Sequence, residues 1–308
     1  LLIGGSGSFI NNLIIKLNKE GHRIYLLTGS RYKQAPYQKV FERYDFTYDC
    51  TCLDEIFKSI GPDLTLFMGA HDTNFRWQEE KDAVRFSASL MNILMAYSMN
   101  NVGRFIYLSS DEVYGYDYDR FITEESPTAP STLRGMVIAQ GEELCRSFRV
   151  NRGLDILTLR IDNIYNIPQE RKDVNNICAR MCIEALETGE INITHDHWMS
   201  FMYETDAVEF IYRFIQADSQ KYSIYNLSVS EAVSELEIAQ MVRDALGGDI
   251  GIVHTERLGQ RRVLSNNRMY EEFKIPLSCD LEAIIQRMAD HIKNNRHIFL
   301  NGEPISTK

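Results

Sequence analysis

The sequence predicts an α/β protein: a doubly wound parallel sheet followed by a small C-terminal α/β lobe. Three observations predict it. Short apolar runs alternate with amphipathic helical stretches through the first half of the chain. The first run opens directly into a glycine turn, Gly4-Gly5-Ser6-Gly7, and then a helical pattern. The second half keeps long helical patterns but loses the regular alternation.

Taken in order, residues 1–3 read as a strand and 9–19 as a helix with Leu13, Ile14 and Leu17 on one face. Gly21 ends that helix, and 23–27 reads as a second strand. Residues 53–59 look helical, and the Gly61-Pro62 turn leads into a strand over 63–68. A long helix follows over 81–100, with Val84, Leu90, Leu94 and Tyr97 at apolar spacing. Residues 105–108 form a strand, 139–150 a helix and 155–160 another strand. Strand–helix units of this length imply a parallel sheet covered on both faces. Later, 174–188, 205–217, 234–246 and 281–294 read as helices, with strands at 191–194 and 224–227. No internal repeat, low-complexity segment or flexible linker is visible.

Composition narrows the function. The chain has 308 residues, 44% hydrophobic and 25% charged, which excludes a disordered tail, a collagen-like repeat or a membrane bundle. At roughly 150 residues per domain the length allows about two domains, or one large α/β domain with a cap. The formal charge of −10 makes nucleic acid and anionic lipid poor partners, although a local basic cleft still admits a small anion. No apolar run approaches the roughly 18 residues of a membrane span. Cys50, Cys52, Cys145, Cys178, Cys182 and Cys279 show no disulfide framework, and the two close pairs lack further ligands at zinc-site spacing. Reduced thiols in a cytoplasmic protein are expected. The chain opens without Met inside an apolar run, so residues of a first strand are expected ahead of Leu1.

A strand, Gly4-Gly5-Ser6-Gly7 and a helix is how a Rossmann-like dinucleotide fold begins. The glycines let the backbone turn tightly and approach a pyrophosphate at the positive helix end. Gly4, Ser6 and Gly7 are thus cofactor-binding candidates, with NAD or NADP as the ligand. Two positions depart from the pattern. Ile10 stands at the third glycine, where a side chain is expected to crowd the helix against the strand. Thr28 ends the second strand where a ribose-binding carboxylate is usual, and Arg31 just beyond is placed to meet a 2′-phosphate or to stay solvated.

Further residues carry a family resemblance. With the glycine turn, Tyr107-Leu108-Ser109-Ser110-Asp111-Glu112-Val113-Tyr114-Gly115 resembles the extended short-chain dehydrogenase/reductases, the NAD-dependent epimerase/dehydratase family acting on nucleotide sugars. Gly69-Ala70 closes the third strand at the family's place, and Glu124, Pro127 and Pro130 resemble its Glu–Pro–Pro loop. Arg160, Asn163 and Tyr165, then Phe201-Met202-Tyr203 with Asp206-Ala207, then Tyr225-Asn226-Leu227, follow in the family's order. The resemblance implies a dinucleotide-binding domain over 1–166 and a mainly substrate-binding lobe over 167–308, with the chain free to cross back to the sheet. It adds Gly69 and Ala70 to the cofactor candidates. It implies a nucleotide-sugar-like ligand near Ser110, Asn163, Arg261 and Arg262, a late arginine meeting its diphosphate through a bidentate fork. It also implies a homodimer through a four-helix bundle built from 81–100 and 139–150, whose Met91, Met95 and Met99 suit either the sheet or a partner.

The resemblance breaks where the chemistry sits. The family uses a Tyr and, four residues on, a Lys that lowers the Tyr pKa and holds the nicotinamide ribose. In the ungapped register through Pro130-Ser131-Thr132-Leu133-Arg134-Gly135, the Tyr position holds Arg134 and the Lys position Ile138. No Lys occurs from 82 to 171. Arg does not shuttle protons near neutral pH, and Ile offers a ribose no hydrogen bond. Ser110, Asp111 and Glu112 remain as catalytic candidates. Ser110 matches the family Ser/Thr, and the acidic pair resembles the acid and base of sugar-nucleotide 4,6-dehydratases. The alternative is a structural Asp-Glu at a strand end. Tyr114, Tyr116 and Tyr118 are nearby phenols that could replace the missing donor. His195-Asp196-His197 lacks further metal ligands and reads as a surface turn, and Arg257 completes a small basic cluster with Arg261 and Arg262. Three readings follow: a degenerate member binding a nucleotide or nucleotide sugar without turnover, an epimerase or dehydratase of altered chemistry, and a non-catalytic assembly subunit.

Overall fold

A computed structural model describes residues 1–5, 7–28, 39–42, 50–71, 80–100, 102–115, 120–229, 231–255, 258–275 and 280–300. Its strands are β1 (Leu2–Ile3), β2 (Tyr25–Thr28), β3 (Lys39–Glu42), β4 (Leu64–Phe67), β5 (Arg104–Ser110), β6 (Arg120–Ile122), β7 (Ile156–Ile161), β8 (Ile164–Tyr165), β9 (Glu190–Ile193), β10 (Asp196–Met199), β11 (Met202–Tyr203), β12 (Ile224–Leu227), β13 (Val233–Ser234), β14 (Gly251–His254) and β15 (Leu258–Leu264). The helices are α1 (Ser8–Lys19), α2 (Cys50–Ile60), α3 (Glu80–Asn100), α4 (Leu133–Arg152), α5 (Ile177–Thr188), α6 (Glu204–Gln216), α7 (Glu235–Leu246), α8 (Asn267–Phe273), α9 (Leu281–Asn294) and α10 (Arg296–Phe299).

Seven strands form one all-parallel sheet in the order β12-β7-β5-β4-β1-β2-β3. The chain runs outward from β1 to β3, then jumps back beside β1 to begin β4. That reversal opens a crevice at the carboxyl ends of β1 and β4. The central strands read as continuous apolar runs because helices cover both faces. On one face α2, α3 and α4 bury Phe57, Phe86, Leu90, Ile93, Leu94, Tyr97 and Ile138. On the other, α1, α6 and α8 bury Ile10, Leu13, Ile14, Leu17, Phe210, Phe214 and Met269.

A third core lies in the C-terminal lobe, where α5, α7 and α9 enclose Cys178, Cys182, Ile238, Val242, Ile285 and Met288. The helix ends there are well specified. Asn176 caps α5 through the Ala179 N–H, with Gly189 left-handed behind it, and Ser234 with Glu237 forms a capping box on α7. Both halves contribute to the two larger sheets: β6 joins the four-stranded sheet β13-β10-β15-β6, while β12 returns to the seven-stranded one.

Two expectations change. Val84 is 66% exposed and not on the buried face of α3, whose inner row is Ala83, Phe86, Leu90, Ile93, Leu94 and Tyr97. His197 lies in β10, beyond the bend that holds His195, and accepts the Gln260 N–H on Nδ1.

Candidate functional site

The glycine turn stands at the crevice. Gly4, Gly5 and Gly7 have φ of 73°, 79° and 92°, a region that favours residues without a Cβ. A Cβ on Gly4 would come within 3.3 Å of the Gly69 backbone, so the turns after β1 and β4 approach closely. Gly7 caps α1 with no side chain on the helix end, and a Cβ there would meet no atom within 4 Å among the described residues. The first hydrogen bond inside the helix runs from the Asn11 N–H to the Gly7 carbonyl at 3.2 Å. The N–H groups of Ser8, Phe9 and Ile10, in the first turn of α1, have no intrahelical acceptor. Ser6 and Arg31 lie outside the described residues, as does the Thr28 side chain.

Ile10 does not crowd the helix. Its side chain is fully buried, and its Cγ1 and Cδ1 would lie 3.1 Å from a Cβ on Gly5. The missing side chain of Gly5 makes the room that a third glycine usually makes.

β5 brings Ser110, Asp111 and Glu112 to the sheet's carboxyl edge. Ser110 donates to Asp111 Oδ1 at 2.9 Å. Asp111 Oδ2 is 2.7 Å from Arg262 Nη2, a close ion pair misaligned for a hydrogen bond. Arg262 reaches this point from β15, so the pair ties the large sheet to the lobe. Beneath it, Asp162 follows β7. Its Oδ2 accepts from the Ser200 and Ser228 hydroxyls and its Oδ1 from the Asn163 N–H at 2.8 Å. Burial, and then the Asp111 charge, push the Asp162 carboxyl up to about 6, against those serines and the Arg262 charge.

Glu112 faces the other way, toward α4. One oxygen takes the Arg134 guanidinium, and the other accepts from the Thr132 hydroxyl at 3.0 Å. Arg134 also donates to the Ala70 carbonyl at 2.9 Å. It thereby bridges the turn after β4, the turn after β5 and the start of α4. One turn further, Ile138 is fully buried in the core on that face, and its carbonyl accepts from the Tyr107 hydroxyl at 3.1 Å.

Tyr114 is not a free phenol. Its hydroxyl accepts from Arg160 and donates to Asn226 Oδ1, both at 2.7 Å, and burial pushes it up to about 12. Arg160 is also bidentate to Glu142, which accepts from Ser109 at 2.6 Å. This buried network joins β5, α4, β7 and β12. Tyr116, Tyr118 and Arg257 lie outside the described residues. Asn163 is exposed, and Arg261, also exposed, lies over the rings of Trp198 and Phe121 rather than beside Arg262. His195 and His197 have ring centroids 5.7 Å apart, and no cluster of three metal-ligating residues exists among the described residues. Cys145, Cys178 and Cys182 are buried free thiols that desolvation keeps protonated.

Three residues stand at the site without a signal in sequence spacing. Asp162 is one. His71 follows Ala70, packs its ring against Phe9 and donates through Nε2 to the Ser109 carbonyl at 3.0 Å. Burial, then the Arg134 charge, press it down to about 4, so it is neutral. Glu204, the first residue of α6, accepts from the Ser8 hydroxyl at 2.8 Å.

Comparison with known proteins agrees with this architecture. A model of the NAD dependent epimerase/dehydratase family matches residues 1–228. The chain is 24% identical over 157 residues to a dTDP-glucose 4,6-dehydratase of Streptomyces niveus, covering 50% of this chain and 46% of that protein. It spans about half the length of the first curated relatives it matches. The UDP-glucose 4-epimerase of Thermotoga maritima, solved with UDP-glucose, superposes with a TM-score of 0.78 at 16% identity, over 96% of this chain and 98% of that one. The UDP-glucose 4-epimerase of Thermus thermophilus, solved with NAD, gives 0.76 at 18% identity over 96% and 98%. At such identities the likeness carries the fold. No helix among the described residues is long and apolar enough to cross a membrane.

Proposed function

Because the chain belongs to the NAD-dependent epimerase/dehydratase family, we propose that it binds the diphosphate end of a dinucleotide or nucleotide sugar and does not carry out the family's hydride chemistry. The observation that carries this reading is the Arg134–Glu112 pair. It puts a guanidinium, which does not shuttle protons near neutral pH, in the place of the phenol, and it takes one oxygen of Glu112, the nearest candidate base, whose other oxygen accepts from the Thr132 hydroxyl.

A dinucleotide fits one end of the crevice and not the other. The first turn of α1 offers N–H groups with no intrahelical acceptor and Gly7 gives its end no side-chain cap, while the close approach of Gly4 to Gly69 brings the two turns together. Those features suit a pyrophosphate held by Gly4, Gly7 and the first turn of α1. A bound nicotinamide would supply hydride exchange with a sugar carbon. The position that would hold its ribose is the fully buried alkyl side chain of Ile138. Of the candidates beside it, Ser110 donates to Asp111, and Asp111 faces Arg262, so both are turned to protein partners. The lobe over 167–308 would supply the substrate side through the exposed Arg261, with Asn163 exposed at the end of the dinucleotide-binding domain.

The test combines calorimetry with absorbance at the nicotinamide band. NAD and NADP should bind more weakly than micromolar, and added UDP- or dTDP-hexoses should leave the band unchanged. Turnover that disappears in Asp111→Asn or Glu112→Gln would establish the altered-chemistry reading instead.

A further inference from the structure

α1 and α6 pack side by side, through Ile10, Leu13 and Ile14 of one and Ala207, Phe210 and Phe214 of the other. Their first turns lie together. A glutamate in the first turn of α6 ordinarily serves the positive end of its own helix. Glu204 instead turns its carboxylate onto α1. Its Oε2 accepts from the Ser8 hydroxyl at 2.8 Å, with the Asn12 side chain also acting to favour its charged form. The Asn166 amide donates to the same Ser8 hydroxyl, so an ordered chain runs from Asn166 through Ser8 to Glu204. Glu204 is 9% exposed, too buried for water to screen its charge well. Burial raises its pKa, and the Ser8 and Asn12 hydrogen bonds oppose that rise.

The charge therefore sits on the first residue of the helix whose open N–H groups and bare Gly7 face the crevice. An anion placed there would meet a carboxylate already at the helix end. We propose that Glu204 sets the affinity of the glycine turn, acting as an internal anion that weakens the binding of any diphosphate. This rests on the reading that the turn receives a diphosphate. Glu204 would lower affinity for charged ligands selectively, with no effect on an uncharged nucleoside.

The experiment measures binding of ADP, NAD and adenosine by calorimetry at pH 8. Glu204→Gln keeps an oxygen that can accept from Ser8 and removes the charge. Its affinity for ADP and NAD should rise roughly fivefold to tenfold, as expected for one like charge removed at short range. The gain should shrink at high salt, and adenosine binding should not change. Glu204→Ala, a second neutral variant, should gain as well, while Glu204→Asp, which keeps the charge, should not. Unchanged ADP affinity in both neutral variants, or an equal gain in Glu204→Asp, would overturn the proposal and leave the glycine-turn reading standing. If no form of the protein binds ADP, the glycine-turn reading itself fails and the proposal falls with it.

Discussion

Arg134 and Ile138 could be read from the sequence as substitutions, because an ungapped register places them. What Arg134 does could not. Its partners Glu112 and Ala70 lie 22 and 64 residues away, and only the sheet edge brings them together. Asp162 is a sharper case, since neither neighbour nor spacing marks it. Its native pKa of about 6 lies above the unfolded value near 4, so the native state holds that proton more tightly. The resulting penalty is absent below pH 4 and complete above pH 6. Asp162→Asn should therefore stabilise the protein at pH 8 by on the order of 2 kcal/mol, and the gain should fade toward pH 4. Urea denaturation of both forms at pH 4.5 and 8 measures this, and an equal gain at both pH values would contradict it. His71 works in the opposite direction. Its native pKa of about 4 lies below the unfolded value, so it costs stability as pH falls from 6.5. The two slopes offset in the wild type, so the difference between variant and wild type is the informative quantity.

At the scale of elements, the long helices and the central strands were legible from apolar periodicity, and the end of α9 at 294 and both ends of β12 matched the sequence reading. The start of α4 was not. The sequence reading begins it at 139, whereas it begins at Leu133 with Thr132 capping the Gly135 N–H. Gly135 and Gly141 lower apparent helix propensity there, but both serve close packing. A Cβ on Gly135 would stand 2.8 Å from the Glu112 carbonyl oxygen, and one on Gly141 would overlap the Tyr107 hydroxyl. Gly141→Ala should thus destabilise by roughly 1–3 kcal/mol despite the better helix former, because it overpacks the α4–β5 contact. Tyr107→Phe added to it should recover part of the loss. Thermal denaturation checks this, and a neutral or stabilising Gly141→Ala would refute it. β3, β6, β8, β10, β11, β13, β14 and β15 escaped the sequence, because all but β15 are four residues or fewer and none stands as an apolar run between clear turn signals.

At the scale of the molecule, α3 and α4 pack together and leave Val84, Met95, Met99, Met136 and Val150 between 42% and 69% exposed. Apolar side chains on two adjacent helices suit a second copy of the chain and a four-helix bundle. Sedimentation should show a dimer that Met95→Glu with Met99→Glu dissociates, and a wild-type monomer at all concentrations would exclude it. Whatever its assembly, the proposed loss of hydride chemistry rests on Arg134 and Ile138 standing at the Tyr and Lys positions. The decisive measurement is the nicotinamide absorbance of the protein saturated with NAD, before and after addition of UDP- and dTDP-hexoses, with the sugars then analysed. No reduced nicotinamide and unaltered sugars are predicted. A reduced cofactor, or an epimerised or dehydrated sugar, would contradict the account.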